Sequence, residues 1–153
     1  MEKLSKFVSE HISDDVTRLL LNYKKWPDID MNLAVSCIES RRKLKGKVQE
    51  WYDDPELIFP LKLSAEQCSS SATGRYKSAL AEAIALDGSD TDERHSIPES
   101  SGRASWRIAD MTGGLGVDSW FFSQKASQVL YNEMQEPLCN AAEHNFKVLG
   151  AEN

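Results

Sequence analysis

A glycine-rich stretch towards the C-terminal end holds the residue types best suited to chemistry. Residues 110–116 read Asp-Met-Thr-Gly-Gly-Leu-Gly and lie between a short predicted strand, buried at 106–110, and a predicted helix from Val117. This order is typical of a strand, a tight turn and a helix. Glycines permit positive φ angles and leave no side chain between the backbone and a ligand. The stretch is therefore predicted to hold a cofactor.

An acidic residue, Glu133, follows a second predicted strand at 127–132. It comes roughly 20 residues after the glycine turn, where a carboxylate can accept hydrogen bonds from both hydroxyls of a ribose. A helix is predicted from 136 to 149, with Gly150 at its C-terminal end. The resulting order of strand, helix, strand and helix predicts a site for a nucleoside-containing ligand.

Two nucleoside cofactors compete for this turn. An NAD-type dinucleotide needs Gly-x-Gly-x-x-Gly, but Gly114 and Gly116 are followed by Ser119 where the third glycine packs the helix closely against the strand. Asp110, directly before the turn, suits a cationic methionyl group better than a phosphate. These features favour S-adenosylmethionine. The dinucleotide and a purely structural turn are the alternatives.

The elements before this region are predicted to be helical. Ser13, followed by two aspartates, is a typical helix start, and a longer helix is predicted over 31–52. A third helix is predicted to open at Ser64, with Gln67 completing a capping box. Its apolar face is predicted to consist of Ala65, Cys68, Ala72, Tyr76, Leu80 and Ile84.

A change of composition divides the chain. Between Asp87 and Arg103 the residues are mainly Gly, Ser, Asp, Glu and Pro. Such a stretch cannot bury enough apolar surface to fold, so a linker or mobile loop is predicted at 87–104. It separates a helical N-terminal domain at 1–86, expected to bind substrate, from the domain at 105–153.

The charge of the chain limits how it could bind nucleic acid. A net charge of −6 and a sequence pI near 5.1 exclude binding through a broadly basic surface. A local contact is left to one cluster, which comprises Arg41, Arg42, Lys43, Lys45 and Lys47. Arg41 interrupts an apolar helix face, so it either packs its stem there and pairs with an acid or binds a substrate anion.

The serines at 69–71 either make the helix irregular or present hydroxyls to a ligand.

Other classes of protein are not supported by the sequence. No stretch approaches the roughly 18 apolar residues of a membrane span, which indicates a cytoplasmic protein that does not bind membranes. The cysteines and histidines are too scattered for a disulfide framework or a metal site, so no metal is predicted. The sequence does not determine an oligomeric state.

At several stretches the sequence resembles the class I S-adenosylmethionine-dependent methyltransferases, and within them a Bacteroidetes-type group with a THUMP-like domain. The similar residues are 38–41, 66–70 with Thr73 and 75–77, 110–118, and 132–133 with 145–150. Ser71 and Gly74 depart from the group, which is expected to have an acid and an alanine there. The resemblance implies an α+α/β fold, in which an N-terminal helical domain precedes the first βαβα of an incomplete Rossmann-like methyltransferase domain.

The resemblance also assigns roles to individual residues. It implies that Asp110, Thr112, Gly113, Gly114 and Gly116 line the methionine side of the cofactor and that Glu133 holds the ribose. Together with the charge pattern and the serines, it makes a set of candidate substrate-binding residues, which are Arg41, Arg42, Lys43, Ser69, Ser70, Arg75 and Lys77.

The expected function is methyl transfer from S-adenosylmethionine, with RNA as the substrate. The family's catalytic motif follows its fourth strand, so the catalytic residues are expected beyond Asn153, and this chain is expected to be a truncated, inactive part of the enzyme. The alternative is a non-catalytic helical binding module that acts through residues 69–77 and carries a vestigial nucleotide-binding half-domain.

Overall fold

The computed structural model describes residues 2–87 and 106–152. Within these ranges six α-helices come first, namely α1 (Glu2–Glu10), α2 (Val16–Leu21), α3 (Met31–Leu44), α4 (Gln49–Asp53), α5 (Lys62–Gln67) and α6 (Ser71–Asp87), with a 3-10 helix at Tyr23–Lys25 after α2. They are followed by β1 (Arg107–Asp110), α7 (Val117–Ser123), β2 (Gln128–Tyr131) and α8 (Glu136–Val148). The linker predicted at 87–104 lies, apart from Asp87, outside the described residues.

Aspartates begin two of the N-terminal helices. Asp15 Oδ1 accepts a hydrogen bond from the Thr17 backbone N–H at 2.8 Å, and Asp30 Oδ1 accepts from Asn32 N–H at 3.1 Å. Each bond satisfies one of the free N–H groups of a helix start. The predicted cap at Ser13 is therefore wrong by two residues.

The single helix predicted over 31–52 is also wrong. α3 ends at Leu44, and Gly46 follows with a φ of 71°, which a glycine adopts without steric cost. The chain re-enters a helix at Gln49. The apolar spacing continues across this break because Leu44, Val48 and Trp51 still pack in one cluster.

The third predicted helix is two helices, and its predicted apolar face is confirmed at Ala65 in α5 but wrong for the residues on α6. Ser64 lies inside α5, and Ser70 caps α6 by accepting a hydrogen bond from Thr73 N–H at 3.2 Å. Tyr76 and Ile84 are 67% and 64% exposed. The buried side of α6 instead carries its small residues Gly74 and Ser78.

β1 and β2 form a parallel two-stranded sheet connected through α7. Arg107 pairs with Gln128, and Asp110 pairs with Tyr131. The predicted order of strand, helix, strand and helix is therefore confirmed. The prediction that β1 is buried is wrong, because in each strand exposed and half-buried residues alternate. On one face of the sheet Tyr131 packs against Phe146 of α8, and on the other face Leu130 is 61% exposed.

Among the residues that the structure describes, two clusters of buried side chains make the core. One lies among α1, α2 and α3 and includes Phe7, Leu19 and Ile38. The other draws Trp51 and Phe59 from the N-terminal region and Leu115, Val117, Phe121 and Leu138 from the C-terminal region. Apolar residues of the predicted domains at 1–86 and 105–153 therefore pack in one shared cluster. Such packing fixes the position of the glycine turn relative to α5 and α6.

Candidate functional site

The glycine turn connects β1 to α7 with two glycines at positive φ. Gly114 has a φ of 55° and Gly116 a φ of 87°, and α7 begins at the next residue. A β-carbon built on Gly113 would lie 2.1 Å from the Tyr131 ring. The turn is held further by the Gly113 N–H, which donates to the Asn132 carbonyl at 2.8 Å. Gly113 is thus required by packing of the protein itself, independently of a ligand.

Glu133 holds the turn from the end of the second strand. Its Oε2 accepts a hydrogen bond from Gly114 N–H at 2.9 Å, and its Oε1 accepts from Gln135 N–H at 2.9 Å and Met134 N–H at 2.7 Å. These backbone donors, Gln135 first, lower the pKa of Glu133 below its usual value of 4.5. The carboxylate is therefore ionised at neutral pH and in contact with the glycine turn.

Asp110 and Gly116 support the turn without lining the open space beside it. Asp110 Oδ2 accepts a hydrogen bond from Ser119 Oγ at 2.7 Å, which connects the end of β1 to α7. Ser119 is buried at the place of the missing third glycine. A β-carbon on Gly116 would lie 2.6 Å from the Phe146 ring. Neither Asp110 nor Gly116 lines the cleft beside the turn, and their contact with a cofactor stays a prediction.

A cleft of about 350 Å³ lies between the turn and the N-terminal helices. Thr112, Gly113, Gly114 and Glu133 line it from the C-terminal side. The segment from α5 to α6 lines it from the other side with Ser64, Gln67, Cys68, Ser69 and Lys77. Four of the six predicted cofactor residues and two of the predicted substrate residues are thus brought to one cleft.

Three polar side chains meet in this cleft across the two regions of the chain. Lys77 Nζ lies 2.7 Å from Asp118 Oδ2, and it donates to Ser69 Oγ at 3.0 Å. Ser69 Oγ also donates to Asp118 Oδ2 at 3.0 Å. Asp118 was not among the predicted site residues. The signal for it was an acid one residue inside the helix that follows the glycine turn.

Arg41 lies outside the cleft and has a structural role. It is 3% exposed, and its guanidinium donates to the carbonyls of Tyr52, Asp54 and Leu57 at 2.8, 2.7 and 2.7 Å. Burial lowers the pKa of Arg41. The structural interpretation of Arg41 is therefore confirmed in part, since the residue is packed in the interior but backbone carbonyls take the place of the expected acid.

The other predicted substrate residues are also engaged within the protein. Arg42 Nε donates to the Ile12 carbonyl at 2.7 Å, and Lys43 pairs with Glu66 at 3.1 Å. Arg75 pairs with Glu50, and Ser70 caps α6. Lys47 Nζ donates to the Ala65 carbonyl at 3.1 Å. Arg41, Arg42 and Lys47 are therefore used to pack the helices together, which leaves Lys43 and Lys45 as the exposed members of the cluster.

A second cavity, of about 360 Å³, lies among α7, β2 and α8. Val129, Tyr131 and Phe146 line it, but none of the predicted cofactor residues does. Among the residues that the structure describes, no group of three or more His, Cys, Asp or Glu side chains could hold a metal ion. No helix in the described ranges is both long and apolar enough to cross a membrane. The polar cleft beside the glycine turn is therefore the candidate site.

Comparison with known proteins gives one informative similarity. The chain matches a crystal structure of a putative methyltransferase from Porphyromonas gingivalis W83, with a TM-score of 0.70 and 27% sequence identity. This match supports the methyltransferase class of enzyme. It covers 96% of this chain and 31% of that chain, so this chain spans about a third of its neighbour's length. No family model and no curated protein matches the sequence.

This similarity supports the methyltransferase part of the predicted class. It extends over nearly the whole chain, so the N-terminal helices and the βαβα region are both similar to parts of the same neighbour. The mixed fold of helices with a small parallel sheet is consistent with part of a methyltransferase fold.

Proposed function

We propose that this chain forms the S-adenosylmethionine-binding part of a class I methyltransferase with a Rossmann-like sheet. The observation that supports it most is the contact of Glu133 with the glycine turn, with Glu133 Oε2 2.9 Å from Gly114 N. The ionised carboxylate of Glu133 and the backbone of the glycine turn therefore line the same cleft. The likeness to a methyltransferase structure adds the reaction class.

The residues of the cleft fit this cofactor. A carboxylate offers about four acceptor positions, and backbone N–H groups occupy three of those of Glu133. One position is open to a ribose hydroxyl, and a second opens if Gly114 N–H is displaced. Thr112 and Gly113 line the cleft next to Glu133 and would contact the rest of the nucleoside.

In the reaction, the role of this chain is to bind S-adenosylmethionine and to orient its methyl group. When bound, S-adenosylmethionine supplies a methyl group that its sulfonium already activates for transfer. Holding that group in line with an acceptor accounts for much of the rate enhancement in such reactions. The packing of α6 and α7 around Phe121 keeps the two walls of the cleft together, which serves this positioning.

A dinucleotide fits the cleft less well. Its pyrophosphate would enter a cleft whose lining carries the carboxylates of Glu133 and Asp118. Ser119 also occupies the position of the third glycine and uses its hydroxyl to bond Asp110. The charges therefore favour a cofactor with a cationic part over one with two phosphates.

Titration calorimetry of the chain tests this function. S-adenosylhomocysteine should bind, and NAD⁺ at the same concentrations should give no heat of binding. Glu133→Gln should weaken binding about tenfold, because a charged acceptor is lost, whereas Glu136→Gln in the first turn of α8 should not. No binding of S-adenosylhomocysteine at millimolar concentrations, or tighter binding of NAD⁺, would overturn the proposal.

RNA as the methyl acceptor, and membership of the THUMP-like group, are proposals that the sequence resemblance alone supports. Lys43 and Lys45 are the exposed members of the basic cluster. Lys43→Glu with Lys45→Glu should weaken binding of an RNA hairpin in low salt, while Lys24→Glu with Lys25→Glu should not. Equal affinity of the two double variants would contradict a role for the cluster in RNA binding.

A further inference from the structure

Lys77, Ser69 and Asp118 join the two walls of the cleft at a point separate from Glu133. Lys77 lies on α6 and Asp118 on α7, and their charged atoms are 2.7 Å apart. The Lys77 side chain is 46% exposed and the Asp118 side chain 23% exposed. The pair is thus accessible from the cleft while being partly shielded from water.

The hydrogen bonds of the pair leave capacity for a ligand. An ammonium has three N–H donors, and two of those of Lys77 go to Asp118 and Ser69. Asp118 Oδ1 is buried and accepts no hydrogen bond from the described residues. Oδ1 is enclosed in this position, so a ligand reaches it only when the carboxyl group turns towards the cleft. A buried carboxylate oxygen without a donor is costly, which favours that turn and a ligand that donates to Oδ1.

The charges that line the cleft restrict what that ligand is. Among its lining residues, Lys77 is the one cation, while Asp118 and Glu133 are the anions. Glu133 is proposed to hold the ribose of the cofactor. A ligand that extends from there along the glycine turn would meet an adjacent cation and anion at Lys77 and Asp118. The complement of such a pair is a group that carries an ammonium and a carboxylate on one carbon.

We propose that Lys77 and Asp118, with Ser69, bind the amino-acid end of S-adenosylmethionine. Asp118 Oδ1 accepts from the α-ammonium and Lys77 donates to the α-carboxylate. This inference rests on the proposed function and deepens it. It assigns Lys77 and Ser69, which the sequence analysis placed with the substrate, to the cofactor. The helical region then completes the cofactor site instead of only presenting the methyl acceptor.

Calorimetry with three ligands tests the assignment on the chain itself. S-adenosylhomocysteine carries the whole amino acid, decarboxylated S-adenosylmethionine lacks only the carboxylate, and 5′-methylthioadenosine lacks the amino acid entirely. Lys77→Met and Asp118→Asn should each weaken S-adenosylhomocysteine binding by ~10-fold or more, the effect of losing a charged hydrogen bond. Both variants should bind 5′-methylthioadenosine as the unaltered chain does. Lys77→Met should also leave the affinity for decarboxylated S-adenosylmethionine unchanged.

A matched control separates binding from packing. Lys125, just after α7, pairs with Glu82 on α6, so it connects the same two helices as the pair of Lys77 and Asp118 does. Lys125 does not line the cleft. Lys125→Met should bind all three ligands normally, and Lys77→Arg, which keeps a cation, should recover most of the lost affinity. If Lys77→Met bound S-adenosylhomocysteine with unchanged affinity, or if its affinity for 5′-methylthioadenosine fell equally, this inference would be overturned and the proposed function would stand. Failure of S-adenosylhomocysteine and of 5′-methylthioadenosine to bind the unaltered chain would overturn the proposed function.

Discussion

Asn145 and Ile58 exchange two hydrogen bonds in the interior of the protein. Ile58 N–H donates to Asn145 Oδ1 at 2.8 Å, and Asn145 Nδ2 donates to the Ile58 carbonyl at 2.8 Å. Asn145 is fully buried, and Ile58 is 4% exposed. The pair connects α8 to the segment between α4 and α5. These two hydrogen bonds therefore fix the position of α8 relative to the helical region within their shared core.

Replacing Asn145 should be costly. Asn145→Leu would leave the N–H and carbonyl of Ile58 buried without partners, which should lower the free energy of unfolding by about 2–4 kcal/mol. His144 makes an exposed bond of 2.9 Å to the Glu56 carbonyl from the neighbouring position, so His144→Ala is a matched control. Urea denaturation should show a loss of less than about 1 kcal/mol for that control. Equal losses in the two variants would contradict a special role for Asn145.

Arg41 should prove to be a structural residue. Arg41→Met would leave the carbonyls of Tyr52, Asp54 and Leu57 without this donor, and a loss of about 3 kcal/mol in urea denaturation is expected. Lys43→Met, which removes an exposed ion pair two residues later, should cost less than about 1 kcal/mol. A stable Arg41→Met protein with weakened ligand binding would contradict this role.

Gly74 should not tolerate an alanine, although alanine usually favours a helix. A β-carbon at this position would lie 2.2 Å from the Phe121 ring, so Gly74→Ala forces α6 away from α7. Overpacking costs about 1–3 kcal/mol, and the gain in helix propensity of about 1 kcal/mol offsets only part of it. Thermal or urea denaturation of Gly74→Ala, Phe121→Leu and the double variant measures the coupling. If the double variant loses the sum of the two single losses, the predicted clash is wrong.

Glu133 should make the stability of the protein depend on pH in the acid range. Its pKa is lowered in the folded chain, so its ionised form contributes stability above the unfolded value of 4.5 and loses it as the pH falls through the folded pKa. Urea denaturation from pH 7 to about pH 3 should show a smaller acid loss in Glu133→Gln than in the unaltered chain. Identical pH profiles would contradict the hydrogen bonds seen at Gly114, Met134 and Gln135.

Local patterns sufficed to predict the turn and the elements around it. A strand, a glycine turn and a helix are determined by neighbouring residues, and the structure has all three at the predicted place. The hydrogen bond from Gly114 to Glu133 was not predicted, because the spacing of Glu133 indicated only a contact with a ribose. The contact between Lys77 and Asp118 could not be predicted in this way. The two residues are 41 positions apart, and only the packing of α6 on α7 brings them together.

The face of α6 shows why the apolar pattern failed. Tyr76, Leu80 and Ile84 repeat at helical spacing but are exposed, whereas Gly74 and Ser78 are buried. Gly74 is buried because the Phe121 ring fills the place of a side chain, and Ser78 Oγ donates to the Phe121 carbonyl at 2.9 Å. Hydrophobic periodicity does not detect burial that depends on small residues and a single hydrogen bond.

S-adenosylmethionine is proposed to bind between the glycine turn and α6. A crystal structure of the chain grown with S-adenosylhomocysteine would locate the ligand. The ligand should lie in the cleft, with its ribose against Glu133 and its amino-acid end against Lys77 and Asp118. Ligand bound instead among α7, β2 and α8, or no ligand in the cleft at saturating concentration, would contradict this binding site.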